Sequence, residues 1–247
     1  MIEILVIGID SGSPVHLTEE ARLAMNQVDV FLVADKGPSR SDLATIRREL
    51  CAAVIEHDRY RFVEVPDPAR DRTSDDYDGA VQDWHAARVS AYADILAADL
   101  PSGGTVGFLV WGDPAFYDST IRIAAELSGD VRVIPGISSL QLLAAAHRIV
   151  LNQIGQPIHI TTGRRLLAEY TPDLGDVLVM LDGDLACEDL VPLHPDLQIF
   201  WGAQLGLPAQ ALAAGRLAEV IGDIRATREA LRGEHGWVLD TYLLRQP

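Results

Sequence analysis

Four short stretches combine glycine with hydroxyl or charged side chains directly after apolar runs. They are Gly8-Ile9-Asp10-Ser11-Gly12-Ser13-Pro14, Asp35-Lys36-Gly37, Trp111-Gly112-Asp113-Pro114 and Pro135-Gly136-Ile137-Ser138-Ser139. Glycine lets a ligand approach the backbone, and a neighbouring carboxylate offers two acceptor oxygens. The first stretch fails as a dinucleotide fingerprint: GxGxxG from Gly8 needs glycine at 10 and 13, where Asp10 and Ser13 stand. A Gly-rich turn making only local bonds is the alternative. Trp111-Gly112-Asp113-Pro114 places an acceptor pair at a strand end, although Gly-Asp-Pro is also ordinary turn punctuation. Ser138 and Ser139 suit either helix capping or ligand contact. Lys36 is the single lysine beside 19 arginines, so a Schiff-base enzyme would have to use it, and no Gly-Lys-Ser/Thr exists for a phosphate-binding loop. Cys51 and Cys187 stand alone and the seven histidines show no ligand spacing, so no metal site is expected.

The elements that must hold these stretches alternate along the chain. Residues 2–8 form a nearly unbroken apolar run, the pattern of a strand buried on both faces. Leu17, Ala21, Ala24, Met25 and Val28 share a helical face, with Thr18 as N-cap and Glu19 and Glu20 in the first turn. Further strands are predicted over 28–33, 61–65, 105–110 and 131–134, with helices over 41–55, 75–99, 117–128 and 137–148. This alternation predicts a parallel sheet with helices on both faces, and ligands then bind beyond the carboxyl ends of its strands. Residues 149–156 break the pattern, which divides the chain into an N-terminal domain over 1–150 and a C-terminal domain over 157–247. The second half predicts strands at 158–162, 176–181, 197–201, 217–221 and 237–244, and helices at 163–170, 184–191, 208–214 and 223–232. The fold class expected is α/β, with two domains, mainly parallel sheets and a cleft between them.

Composition narrows the function. With 36 acidic against 20 basic residues the net charge is −16 at pH 7, which argues against a bare phosphate backbone as partner. No apolar run approaches the ~18 residues of a membrane span, and residues 1–6 read as a strand rather than a secretion signal. Two isolated cysteines suit a reducing cytoplasm.

Taken together and in this order, the four stretches resemble the tetrapyrrole methylases, and the resemblance runs through the whole chain. Gly8-x-Asp10-x-Gly12-Ser13-Pro14 is similar to that family's first loop, with Asp10 where the family usually has glycine and Ser13 where it usually has aspartate. Gly112-Asp113-Pro114 after an apolar strand matches its second signature, and residues 135–139 match its Pro-Gly-Ile/Val-Ser/Thr-Ser/Ala loop. Longer runs resemble one branch of the family. They are Val28-Asp29-Val30-Phe31 running into Asp35-Lys36-Gly37, Asp71-Arg72 with Tyr77 and Val81-x-Asp83-Trp84-His85, residues 108–120, and residues 236–245.

The resemblance implies S-adenosylmethionine as cofactor, an active site in the cleft between the domains, and a homodimer. From the branch it implies methylation of C1 of precorrin-5 with loss of acetate, in cobalamin biosynthesis. Carried onto matching positions, the cofactor contacts are Pro14, Trp111, Gly112, Asp113, Phe116, Ser138 and Ser139, with Met180, Leu181 and Leu205 reaching the adenine from the second domain. An activated sulfonium methyl asks mainly for positioning. Acetyl loss asks for a base or an oxyanion donor, and the candidates are Asp10, His85, Asp113 and Tyr117. His85 and Tyr117 are equally readable as packed rings. A substrate rich in acetate and propionate must be received by local cations, for which Lys36, Arg72, Arg88, Arg164 and Arg165 are the candidates, with solvated salt bridges as the alternative. A paralogous methylase acting at another ring carbon, and a non-catalytic nucleotide-binding scaffold, remain open from sequence.

Overall fold

A computed structural model of the chain describes residues 1–35, 41–68 and 77–247. Two compact units divide it, Met1–Ser138 and Ser139–Pro247. The division falls ahead of the 149–156 break, so the helix predicted at 137–148 packs with the second unit.

Unit one holds strands β1 (Ile2–Gly8), β2 (Val30–Asp35), β3 (Arg61–Pro66), β4 (Gly104–Val110) and β5 (Asp130–Ile134). Its helices are α1 (Glu19–Met25), α2 (Ser41–Val54), α3 (Tyr77–Asp99) and α4 (Thr120–Glu126). The five strands form a parallel sheet in the order β3-β2-β4-β1-β5. Alternate residues of β1 enter opposite cores, as the two-residue strand period requires. Ile4 and Val6 pack with Tyr92 and Leu96 of α3 and Ile123 and Ala124 of α4. Leu5 and Ile7 pack with Ala21, Ala24 and Met25 of α1 and Leu50 and Cys51 of α2. Each of these large apolar side chains contributes about 1.5–3 kcal/mol by leaving water.

Topology then locates the ligand end. The chain leaves β1 for β2 and β3 in one direction, with α1 and α2 on one face. It returns to β4 and passes β1 to reach β5, with α3 and α4 on the other. Right-handed crossovers demand this pairing of direction and face. The connections from the adjacent strands β1 and β4 therefore diverge, and the crevice of a switch point opens at their carboxyl ends. Residues 8–14 and 111–117 occupy those ends. The N-cap of α1 forms as predicted, with Thr18 Oγ1 accepting from Ala21 N at 3.1 Å.

Unit two opens with α5 (Ser139–His147), β6 (Ile158–Thr162), α6 (Gly163–Glu169) and β7 (Asp176–Met180). It closes with β8 (Gln198–Ala203), β9 (Ala211–Arg216), α7 (Leu217–His235) and β10 (Asp240–Arg245). The sheet order is β6-β7-β10-β8-β9. Only β6 and β7 pair in parallel; β10 runs antiparallel to β7 and β8, and β9 antiparallel to β8. The expected parallel character thus describes the first sheet and one strand pair of the second.

Four predicted elements of this half differ in the structure. Residues 208–214 read as a helix because alanine and leucine favour one, yet Ala211–Arg216 pair in register with β8 and alternate in burial. Pairing on a half-buried sheet overrides that local preference. The strand predicted at 217–221 and the helix at 223–232 are one helix, α7, whose buried residues Leu217, Ile224, Arg228 and Leu231 recur at helical spacing. Residues 186–190 form a short 3-10 turn instead of a helix. Among the described residues no helix is long and apolar enough to cross a membrane.

Candidate functional site

Three glycines knit the loops at the carboxyl ends of β1, β4 and β5. A Cβ on Gly8 would meet Gly136 N at 2.6 Å and Gly112 O at 2.9 Å; one on Gly136 would meet Gly112 O at 2.2 Å. Only hydrogen fits between these backbones. Asp113 fastens the same contact, because its Oδ1 accepts from Ala115 N at 2.8 Å and its Oδ2 from Gly136 N at 2.9 Å. Both oxygens of this predicted acceptor pair thus bind backbone amides, the arrangement of a turn carboxylate that also anchors a neighbouring loop.

Asp10 and Gly112 form a two-bond bridge, with Gly112 N donating to Asp10 O at 2.8 Å and Asp10 N to Gly112 O at 3.3 Å. Asp10 takes a left-handed backbone, φ 52°, which costs on the order of 1 kcal/mol in a residue with a Cβ. Its buried carboxylate accepts from Ser11 Oγ at 3.1 Å and lies 2.7 Å from His16 Nδ1. His16 was not among the residues singled out from sequence. Its spacing of six from Asp10 signals nothing until the turn after Gly12 brings the two together.

A second residue that sequence reasoning missed is Arg47 of α2. Its guanidinium lies over the Trp111 ring, 4.5 Å from the centroid, and its Nε donates to Leu109 O at 3.2 Å. Burial lowers its pKa to about 10, against the raising influence of Asp118, so it stays charged at neutral pH. Among the described residues no carboxylate forms an ion pair with it. On the helix surface pattern alone it is one arginine among several.

The remaining predictions for unit one fall at varied distances from these loops. Pro14 is exposed, Trp111 and Phe116 are half-buried, and Tyr117 is exposed with φ 50°. Ser138 is buried at the entrance to α5 and Ser139 is that helix's first residue. His85 lies on α3 against Trp84, ring centroids 5.3 Å apart. Arg88, one turn on, is buried: its Nε donates to Asp67 Oδ1 at 2.7 Å and its guanidinium covers the Trp84 ring. Tyr117, Ser138, His85 and Arg164 each have interaction partners already. Lys36 and Arg72 lie outside the described residues.

In unit two, Met180 pairs with Thr241 and Ala203 with Asp240, so the ends of β7 and β8 flank the start of β10. Met180 is half-buried there. Leu181 follows with φ 52°, a left-handed backbone uncommon in a residue with a Cβ, and 64% of its surface exposed. Leu205 is buried and packs onto Gly202. The Leu181 turn is held from beneath by a buried polar network absent from the sequence reading. Asp182 Oδ2 accepts from Ala186 N at 2.8 Å and from the Tyr242 hydroxyl, while Arg228 donates to Asp182 O at 2.6 Å and pairs with Asp240. Trp201 Nε1 donates to Asp240 at 2.8 Å. Burial raises the Asp240 carboxyl, and Arg228 opposes that shift. Arg164 and Arg165 open α6 directly after β6, whose Thr162 pairs with Met180. Arg165 forms an exposed ion pair with Glu169, whose carboxyl is held at about 2, first by the Thr161 hydroxyl and then by Arg165 and His159. Among the described residues no three of His, Cys, Asp and Glu gather as a metal site would require.

Comparison with known proteins identifies the family. Residues 3–221 match the sequence profile of the Tetrapyrrole (Corrin/Porphyrin) Methylases. A precorrin-6A synthase [deacetylating] from Sinorhizobium sp is 44% identical, covering 100% of this chain and 96% of the relative. Among solved structures, a cobalamin synthesis related protein (CobF) from Corynebacterium diphtheriae superposes with a TM-score of 0.82 at 37% identity, covering 100% of this chain and 99% of that one. A uroporphyrin-III C-methyltransferase from Thermus thermophilus, complexed with S-adenosylhomocysteine, shares the fold at TM-score 0.58 and 18% identity, covering 98% of this chain and 92% of that one.

Proposed function

The chain belongs to the tetrapyrrole methylases, and on that footing we propose that it methylates C1 of precorrin-5 from S-adenosylmethionine, with release of acetate, giving precorrin-6A in cobalamin biosynthesis. The observation that supports this most is the likeness to a deacetylating precorrin-6A synthase along the entire chain.

The residues present suit the cofactor. Gly8, Gly112 and Gly136 bring backbone amides and carbonyls of three loops together where no side chain intervenes. Pro14, Trp111, Gly112, Phe116, Ser138 and Ser139 line or follow those loops, and the apolar Met180, Leu181 and Leu205 at the ends of β7 and β8 suit an adenine ring. When bound, the cofactor supplies a methyl already activated on sulfonium. The protein's task is then to orient the acceptor carbon and exclude water. Asp113 serves that task indirectly, by holding the loops after β4 and β5 to each other.

Lys36, Arg72, Arg164 and Arg165 receive the substrate's carboxylates in this reading, and Arg47 adds a cation beside Trp111. A protein of net charge −16 repels a polyanion at long range, so recognition must rest on such close, directional contacts. The protein acts in this reading as a cytoplasmic homodimer, which sedimentation at micromolar concentration would check. The decisive assay incubates purified protein with methyl-labelled S-adenosylmethionine and precorrin-5. One methyl at C1 and one acetate per turnover are expected; label at another carbon, or cofactor binding without transfer, would refute the assignment.

A further inference from the structure

We propose that His16 is the base that activates water for release of the acetyl group, with Asp10 as the residue that positions it; the inference rests on the deacetylating reaction above. His16 Nδ1 lies 2.7 Å from Asp10 Oδ2, with the carboxylate side chain 2% exposed and the imidazole 30% exposed. A buried carboxylate on Nδ1 holds the proton there and leaves Nε2, across the ring, as the basic nitrogen. The geometry is a base with its orienting acid, in the loop that follows the carboxyl end of β1.

The carboxylate is itself firmly placed. Ser11 Oγ donates to the same oxygen at 3.1 Å, and the Asp10 backbone is bridged to Gly112 at the end of β4. The left-handed φ of 52° is one that aspartate tolerates better than most residues with a Cβ, and it fixes the direction in which the carboxylate leaves the backbone. His16 is fixed in turn, its backbone N donating to Ser13 O at 3.1 Å two residues before the N-cap of α1. The other candidates are placed less well. Both oxygens of Asp113 accept from backbone amides, and His85 packs on Trp84 along α3.

The step balances without an oxidant or a metal. His16 Nε2 takes a proton from water as the water oxygen bonds to the acetyl carbonyl carbon. The bond from that carbon to the ring then breaks, and its electron pair stays on the ring carbon, which takes the sulfonium methyl. Acetic acid departs, and His16 returns its proton to solvent.

The test compares wild type, H16Q and D10N in single turnovers, measuring the rates of acetate release and of S-adenosylhomocysteine formation. Loss of a general base should slow acetate release roughly 100-fold or more in H16Q, with unmethylated, still acetylated substrate remaining by mass. An unchanged rate of acetate release in H16Q overturns the proposal. An independent readout needs no substrate: nitrogen-15 NMR of the wild-type protein should find neutral His16 protonated at Nδ1, and D10N should move that population toward Nε2. Protonation at Nε2 in the wild type also overturns it. A wild type that transfers no methyl to precorrin-5 refutes the underlying reaction instead, so the two failures are distinguishable.

Discussion

Gly136→Ala probes the knitting of the three loops with a single methyl group. Gly136 has no left-handed backbone, so alanine there brings no strain of its own; the cost is steric. The new Cβ would lie 2.2 Å from Gly112 O and 2.9 Å from Gly8 Cα, all backbone atoms that cannot rotate aside. Real Cβ atoms keep at least 3.0 Å, so the loops must part by about 0.8 Å. Overpacking of this kind costs about 1–3 kcal/mol. It also stretches the 2.9 Å hydrogen bond from Gly136 N to Asp113, a charge-assisted bond worth about 1.5–3 kcal/mol. With partial relaxation, a loss of about 2–4 kcal/mol is expected, and roughly 5–15 °C from the melting temperature of unit one. Displaced backbone should also weaken S-adenosylhomocysteine binding at least tenfold, about 1.4 kcal/mol. Calorimetry reads both. Gly222→Ala is the control, since it lies exposed within α7 with nothing within 4 Å of its would-be Cβ, and it should add about 0.5–1 kcal/mol. Wild-type affinity and melting in Gly136→Ala would show that the three backbones are not in the contact described.

Other consequences follow from the second unit and the cores. Arg228→Ala strands the buried Asp240 carboxylate and should cost about 3–5 kcal/mol in denaturant unfolding. Because burial already raises Asp240, its folded state holds a proton more tightly than the unfolded chain, so the deficit should shrink as pH falls; a deficit constant with pH would count against the pairing. Glu169 behaves oppositely. Its folded pKa of about 2 against 4.5 means a stabilisation present above pH 4.5 and lost as pH falls toward 2, so wild type and Glu169→Gln should converge in melting temperature across that window. Cys51 and Cys187 are fully buried, with thiols pushed up to about 12 by desolvation. An aromatic disulfide reagent at pH 8 should therefore find no thiol in the native protein and two after denaturation.

Local pattern carried a great deal of this fold. The unbroken apolar run of β1, the capping threonine of α1 and the glycine-rich ends of β1, β4 and β5 are statements that neighbouring residues make about each other, so they can be read along the chain. The family match covers residues 3–221, far more than these loops. Helix and strand blur where side chains are small. Residues 211–216 favour a helix in isolation, and only pairing with β8 makes them a strand.

The rest depends on residues far apart in sequence. The order β3-β2-β4-β1-β5 makes the ends of β1 and β4 a crevice, and nothing in either strand states that order. Asp113 read as an open acceptor pair, because its partner amide belongs to Gly136 in another loop. Asp10 and His16, Arg47 and Trp111, and Asp182 with Tyr242, Arg228 and Asp240 became sites only when the backbone brought them within hydrogen-bond or ring-contact distance. Residue type and short-range spacing, which act through local conformational preference, determined the elements and the chemistry available at their ends. Which groups meet, and so which carboxylate binds backbone and which orients a base, was decided by tertiary packing, because desolvation and hydrogen-bond geometry exist only between groups already in contact.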